Sequence, residues 1–288
     1  GCDVADLENT ASSLTKLSST GGSGGILDIF YEEWKLRLNE HSAIVSIMQE
    51  LWRATYAAST DSSDFSHPYG QFDPNQGYMY IDRVCYRVPS EISSRQGTSK
   101  KKQLQRSLTP HLDCCPHDMY GKGSKWRPIQ AFIALTDGFL PEQGGFEACP
   151  GHHKAFDAWA RNRPAGEGSS SAPCVGDFTP IRPVLDQDVL GGMKHIPCKA
   201  GDLVCWDYRI PHANSRYNHS DHARAVVYIG LLPAVAINER YVQEQLHRYQ
   251  AGLLPTDQWH DSTARQECDY QFSELGKKLM GITAWDTS

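Results

Sequence analysis

The chain has 288 residues, of which 40% are hydrophobic and 22% charged, and its formal net charge is −6. This composition allows a sizeable apolar core, and the acidic balance disfavours a dedicated nucleic-acid binder, which would show a basic face. The apolar runs are too short to cross a bilayer, so no membrane partner is predicted.

Nine cysteines are spread along the chain without a C-x-x-C pair, so neither a zinc ribbon nor a thioredoxin-like site is indicated. Cys114 and Cys115 are adjacent, and a bond between them would be strained. Mostly reduced thiols and the lack of a signal peptide predict a cytoplasmic protein. The chain starts at Gly1 rather than at methionine, which leaves open a targeting segment removed before it.

Residues 1–25 form a polar N-terminal segment, with a short helix predicted over residues 3–18. The run Ser19–Gly25 (STGGSGG) has the composition of a flexible linker, and the sequence does not say whether it is native or engineered. Residues 26–77 are predicted to be helical, because apolar side chains recur at helical spacing up to residue 58. A break near Asn39–Ser42 divides two helices, and a polar loop completes the segment.

After residue 77 the pattern becomes typical of strands, with aromatic and β-branched residues in short runs. The predicted strands are Tyr78–Val88, Ile129–Leu135, Asp202–Trp206 and Ala225–Leu232. Between the first two, residues 90–107 are predicted to be an exposed, mobile loop. Its run Lys100–Lys102 is interpreted as solvated, with a lid over an anionic substrate as the alternative.

The C-terminal part, 234–288, is predicted to be helical around Tyr241–Tyr249 and Phe272–Met280. Helices on both sides of a central set of strands predict one α+β domain, whose core spans residues 78–233 and carries the chemistry.

One triplet, His111-Leu112-Asp113, has the spacing of the first two ligands of a 2-His-1-carboxylate iron site. Two imidazoles and one carboxylate occupy one face of Fe(II) and leave other coordination positions open. Residues i and i+2 of a strand point to the same side, so one short strand or its end can supply both ligands. The motif alone is weak, because His219-Ser220-Asp221 has the same form.

The order of residues after the first triplet distinguishes it from the second. A turn at Gly201-Asp202 leads into a strand, and His212 follows as a third ligand candidate. Arg224 then opens a further apolar strand, where it could pair with a carboxylate. Arg216 is the alternative clamp, but it lies in a predicted loop.

These motifs, taken in order, resemble the phytanoyl-CoA dioxygenase family. A Pro150-Gly151-His152-His153-Lys154 turn is similar to a P-G-S-H-like turn of that family, with His152 at the serine position. The preceding Glu142–Phe146 is similar to an E-N-G segment, with Gln143 replacing asparagine. Pro211–Arg224 is similar to the distal-histidine segment. The resemblance covers roughly residues 78–233.

The resemblance implies a double-stranded β-helix, or jelly-roll, with flanking N- and C-terminal helices. It implies Fe(II) bound by His111, Asp113 and His212, with Arg224 gripping the distal carboxylate of 2-oxoglutarate. Trp126 falls where the family often has an aromatic residue lining the cosubstrate pocket, although core packing explains it nearly as well.

The implied pocket also includes Gln130, although the sequence does not determine which face of its strand this residue occupies. The implied activity is a dioxygenase that uses O2 and 2-oxoglutarate to hydroxylate an unactivated C–H bond of a small organic substrate, releasing succinate and CO2. Because Asp113 retains the carboxylate that related halogenases lack, oxygenation is favoured over halogenation.

Other functions stay open at this point. The same chemistry could act on a protein or a nucleobase, and a non-catalytic jelly-roll protein could retain the metal site. A structural zinc protein using Cys114, Cys115 and nearby histidines is disfavoured by the geometry of adjacent cysteines. His117 is interpreted as a loop or substrate-side residue. The substrate, the exact oxidation and the oligomeric state are not indicated.

Overall fold

The computed structural model describes residues 1–57, 67, 69–97, 103–116, 125–163, 177–255 and 265–285. The predictions for Lys100–Lys102 and His117 lie outside these residues. The strands of the described part are β1 Ile26–Leu27, β2 Gly77–Tyr80, β3 Val84–Arg87, β4 Leu108–Leu112, β5 Ile129–Ala134, β6 Phe146–Ala148, β7 Thr179–Pro180, β8 Lys194–Ile196, β9 Leu203–Asp207, β10 His212–Asn214 and β11 Arg224–Pro233.

The α-helices of the same part are α1 Leu7–Thr10, α2 Glu33–Asn39, α3 Ser42–Ala54, α4 Ser90–Arg95, α5 Phe156–Asn162, α6 Gln187–Gly191, α7 Ala236–Gln250 and α8 Glu274–Leu279. Two short 3₁₀ helices, Ala11–Leu17 and His152–Lys154, accompany them. Among the described residues, none of these helices combines the length and the apolarity that crossing a bilayer requires.

The strands form two antiparallel sheets. One has the order β1-β3-β11-β5-β9, with β2 also paired to β11, and the other has the order β7-β4-β10-β6-β8. Side chains from both sheets meet between them: the Phe146 ring of β6 lies 5.3 Å from Phe132 of β5 and 4.7 Å from Trp206 of β9. This is the predicted jelly-roll core of an α+β fold.

Strand β11 shows how the sequence sorts side chains between the two faces of its sheet. Successive side chains of a strand point to opposite sides. Val226 packs between the sheets, whereas Val227 and Ile229 pack in the cluster on the other face. The strand therefore reads as a nearly continuous apolar run, because both of its faces are covered.

Helices cover the outer face of the larger sheet. Trp52 and Met48 of α3 share one apolar cluster with Met79 of β2 and Leu231 of β11. The predicted pair of N-terminal helices is confirmed as α2 and α3, with the break where the sequence indicated it. The prediction of helix from residue 26 is wrong at its start, because Ile26–Leu27 pairs with β3 instead.

The run Ser19–Gly25, hereafter the glycine loop, is packed rather than a flexible linker, so that prediction is wrong. Its Gly22 and Gly24 exchange backbone hydrogen bonds with Arg106, 3.1 and 2.8 Å long. Gly25 has φ +75°, and a Cβ there would lie 2.8 Å from the Arg87 Cα. Glycine is needed here because the chain must adopt left-handed φ and approach another backbone closely.

The segment after β3 also differs from its prediction. Residues 90–95 form α4, and Leu104 and Gln105 are buried, so the described part of residues 90–107 is not a mobile loop. The Gln105 side chain accepts a hydrogen bond from the Val88 backbone N–H and donates one to the Tyr86 carbonyl. These contacts anchor the chain just before β4.

Candidate metal centre

The two strands of the smaller sheet that carry His111 and His212 are neighbours. β4 and β10 are antiparallel, and His111 is paired in register with His212. Both side chains are buried, at 4% and 6% exposure, and their ring centroids are 4.5 Å apart. Asp113 directly follows β4, so its side chain points to the same side as His111.

A backbone carbonyl two residues upstream orients each imidazole. His111 Nδ1 donates to the Thr109 carbonyl at 2.8 Å, and His212 Nδ1 donates to the Ile210 carbonyl at 3.1 Å. Because a carbonyl oxygen only accepts, each Nδ1 carries the proton and each Nε2 presents its lone pair. Such outer contacts set the tautomer and ring orientation of metal-ligating histidines.

Asp113 completes the group. Its Oδ1 lies 3.5 Å from His111 Nε2, and its Oδ2 lies 3.5 Å from His212 Nε2. Burial acts to raise the pKa of Asp113, but the proximity of the two imidazoles holds that pKa well below its usual range. Burial and the neighbouring His111 lower the pKa of His212, which favours the neutral imidazole that binds metals.

Two further side chains hold the Asp113 carboxylate. Gln130 Nε2 donates to Asp113 Oδ2 at 2.8 Å, and Arg127 Nη2 lies 3.4 Å from the same oxygen. Arg127 is itself fixed by Asp82, whose Oδ2 accepts from Arg127 Nη1 at 2.8 Å. The Arg127 guanidinium also lies over the Tyr80 ring, 4.5 Å from its centroid.

The resulting donor set is two imidazole nitrogens and one carboxylate oxygen. One ligand atom from each of His111, Asp113 and His212 lies within 4.8 Å of the other two, and in the part of the chain that the structure describes these three form a possible metal-holding group. Two histidines and one carboxylate are the ligand types of non-haem Fe(II) sites that keep open coordination positions. The residues present therefore fit such an ion.

A cavity of about 630 Å³ opens on this group. Its wall includes all three candidate ligands, Gln130 and Arg127, together with apolar side chains such as Phe178, which stacks on the His111 ring at 4.9 Å. A volume of this order is typical of pockets for small molecules.

Arg224 lies at the start of β11, as predicted, with its side chain buried between the sheets. Its Nη1 donates to Asn214 Oδ1 at 2.9 Å, and Asn214 lines the cavity. Its Nη2 is buried and has no hydrogen-bond partner among the described residues. Arg224 is not among the described residues that line the cavity, so contact of this atom with a bound molecule stays a prediction.

Of the other two predicted pocket residues, Gln130 lies in the described cavity wall and Trp126 does not. Gln130 lines the cavity, and its Oε1 is buried with no hydrogen-bond partner in the part of the chain that the structure describes. Trp126 is not among the described lining residues; it packs in the apolar core, stacked on His67 with centroids 4.3 Å apart. Core packing, the alternative considered for Trp126, describes this position.

The remaining candidates are dispersed. Arg216 is exposed and its guanidinium lies over the Tyr217 ring, whereas His219 of the second triplet stacks on the same ring. Asp221 pairs with His222 on the surface.

The cysteines near Asp113 do not join the metal group. Cys114 Sγ lies 3.7 Å from the Tyr208 carbonyl oxygen, and Cys115 is disulfide-bonded. These positions do not fit a zinc site built on the two thiolates. Seven of the described cysteines are free thiols, in line with the predicted predominance of reduced cysteines.

Arg127 and Asp82 contribute to the site without having been predicted from the sequence. Their ion pair joins positions 45 residues apart, and no local motif marks such a pair. The one available signal was that Arg127 lies between a tryptophan and a strand whose Gln130 was a candidate.

Comparison with known structures shows the same fold in three microbial proteins. GlcNAc Inducible Gene 2 (GIG2) of Candida albicans is 16% identical with a TM-score of 0.66, covering 99% of this chain and 73% of that protein. The hypothetical protein JW0805 of Escherichia coli is 18% identical with a TM-score of 0.65, covering 89% and 69%. A Salmonella typhimurium LT2 protein, suggested to be an oxidoreductase, is 15% identical with a TM-score of 0.60, covering 94% and 74%.

No curated protein matches the chain in sequence. The resemblance to the phytanoyl-CoA dioxygenase family therefore stays a prediction. Over residues 180–282, about a third of the chain, the sequence matches the family described as Gig2-like. The matched part includes His212 and Arg224.

Proposed function

We propose that this protein is an Fe(II)- and 2-oxoglutarate-dependent oxygenase that hydroxylates a small organic substrate. The observation that carries the proposal is the convergence of His111, Asp113 and His212 at a cavity of about 630 Å³. The likeness in fold to a bacterial protein suggested to be an oxidoreductase agrees with this assignment.

In the proposed enzyme, His111, Asp113 and His212 hold Fe(II). Arg224 holds the distal carboxylate of 2-oxoglutarate through its unpartnered Nη2, and Asn214 orients that guanidinium from the other side. When bound, the iron and the cosubstrate supply the oxidising power, through oxidative decarboxylation that releases succinate and CO2.

The contribution of the chain is positioning. The carbonyl contacts of His111 and His212 keep each Nε2 directed at the metal, and Gln130 and Arg127 restrict how the Asp113 carboxylate can turn.

An anaerobic titration with Fe(II) and 2-oxoglutarate tests the proposal, because their chelate has a weak visible charge-transfer band. We expect the band in the wild-type protein and its loss in His212→Ala. His219→Ala is the matched control, since that histidine belongs to the second triplet and is exposed. If wild-type protein binds the metal but shows no band with 2-oxoglutarate, the proposal is wrong.

A further inference from the structure

Three arginines line the cavity: Arg83, Arg106 and Arg127. Two of them are paired with carboxylates, and Arg106 is the third. Arg83 Nε lies 2.7 Å from Asp28 Oδ1, and Arg127 Nη1 lies 2.8 Å from Asp82 Oδ2. Each of these two guanidinium groups is therefore neutralised by a carboxylate.

Arg106 differs, because the described groups that it contacts are all neutral. Its Nε donates to the Ser23 hydroxyl at 2.7 Å, and its Nη2 lies 3.5 Å from the Thr20 carbonyl oxygen. Among the described residues no carboxylate lies within ion-pair distance of it. Arg106 is exposed, and its charge lies at the cavity wall with no described carboxylate beside it.

The glycine loop determines where this guanidinium points. Gly22 and Gly24 bond to the Arg106 backbone on both sides, and Ser23, which is buried, receives the side-chain Nε. An arginine held in this way loses less conformational freedom on binding a ligand than a free surface arginine does. The arrangement is pre-organised for an anion.

Five residues that line the cavity carry hydroxyl groups: Ser19, Thr20, Ser23, Ser107 and Thr109. The Ser19 hydroxyl donates to Asp28, and the Ser23 hydroxyl accepts from Arg106. A guanidinium with neighbouring hydroxyl donors suits a carboxylate or a phosphate, which accept several charge-assisted hydrogen bonds.

The distance from Arg106 to the metal group sets the size of the ligand. Arg106 precedes His111 by five positions on one largely extended segment, a separation of at most roughly 17 Å between their Cα atoms. A small molecule can span this distance inside the cavity, with one end at the metal group and the other at Arg106.

We infer that Arg106 and the glycine loop form a subsite for the anionic end of the substrate, a carboxylate or a phosphate. The inference rests on the proposed function for the reaction at the other end of the substrate, at the metal group. Anion binding at the Arg106 subsite itself needs neither metal nor 2-oxoglutarate. The substrate class is then a small organic anion whose oxidised carbon lies away from its charged group.

Calorimetric titration of the metal-free protein with inorganic phosphate, and separately with butyrate, tests this inference. The Arg224→Gln variant serves as the background, so that the proposed cosubstrate clamp does not compete for the anions. We expect at least one probe to bind at millimolar concentration and binding to weaken at least tenfold in Arg106→Gln. The probe that binds more tightly distinguishes a phosphate from a carboxylate substrate.

Two variants make the test specific. Arg106→Lys keeps the charge and should retain part of the binding, whereas Arg216→Gln removes an exposed arginine outside the described cavity wall and should change nothing. No binding of either probe, or equal binding before and after Arg106→Gln, overturns the inference. The charge-transfer band of the iron chelate should persist in Arg106→Gln, so a missing wild-type band would contradict the proposed function and not this subsite.

Discussion

His111 and His212 are directly paired residues on two neighbouring antiparallel strands, and both present Nε2 toward Asp113. One register between β4 and β10 thus brings together two of the three candidate ligands, although they are 101 positions apart in the chain. Because a slip of one residue would turn a side chain to the opposite face, the ligand geometry depends on this register.

Arg127 is expected to matter for metal binding through Asp113. Arg127→Gln removes the guanidinium that links Asp82 to Asp113, and we expect Fe(II) affinity to fall about 10–100-fold, the usual cost of losing an outer contact of a metal ligand. Anaerobic metal titration measures this. Arg83→Gln is the control, since Arg83 also lines the cavity but pairs with Asp28. An equal loss in both variants would show a general effect of cavity charge instead.

Arg224 is expected to act on 2-oxoglutarate and not on the metal. Arg224→Gln removes a charge-assisted contact of about 1.5–3 kcal/mol, which corresponds to roughly 10–150-fold weaker cosubstrate binding with Fe(II) affinity unchanged. Titration of the Fe(II)-loaded protein with 2-oxoglutarate, followed by the charge-transfer band, measures the change. If Arg216→Gln weakens binding and Arg224→Gln does not, the clamp is Arg216.

The glycine loop is expected to be sensitive to any side chain at Gly25. Gly25→Ala combines left-handed φ with a clash against the Arg87 backbone, so we expect a loss of roughly 2–5 kcal/mol in unfolding free energy. Gly70→Ala is matched, because Gly70 has φ +81° with nothing near its Cβ position, and should cost only about 1–2 kcal/mol. Denaturant unfolding compares them, and similar losses would mean that the close packing of the loop is unimportant.

Lys35 on α2 is expected to make stability depend on pH. It is fully buried with no partner for Nζ among the described residues, and burial lowers its pKa from 10.5 to about 8, against the attraction of Asp82. Below pH 8 the folded state carries the full cost of the buried charge, about 3 kcal/mol. Between pH 8 and 10.5 the folded state loses this proton before the unfolded state does, so the cost declines as pH rises.

Lys35→Met should therefore stabilise the protein by about 2–3 kcal/mol at pH 7 and by clearly less at pH 9.5. Unfolding by denaturant at the two pH values measures this difference. Lys16→Met at an exposed position should have little effect at either pH. A gain that is the same at both pH values would rule out the buried charge as its cause.

Local patterns in the sequence determined much of the secondary structure and the identity of the ligand candidates. The strands around Ile129, Leu203 and Arg224 and the helices α2 and α3 follow from residue periodicity, which records the face that each element buries. His111, Asp113 and His212 were recognisable because the chemistry of the site requires those residue types in that order.

Tertiary structure alone decided the rest. Composition made the glycine loop look like a linker, yet its glycines are required by close contacts with Leu104, Leu108 and Arg87, which are distant in sequence. The Arg127–Asp82 pair and the uncompensated charge of Arg106 also depend on which carboxylates lie nearby. Such contacts join segments far apart in the chain, and only the packing of the two sheets and the loops around them determines which residues come into contact.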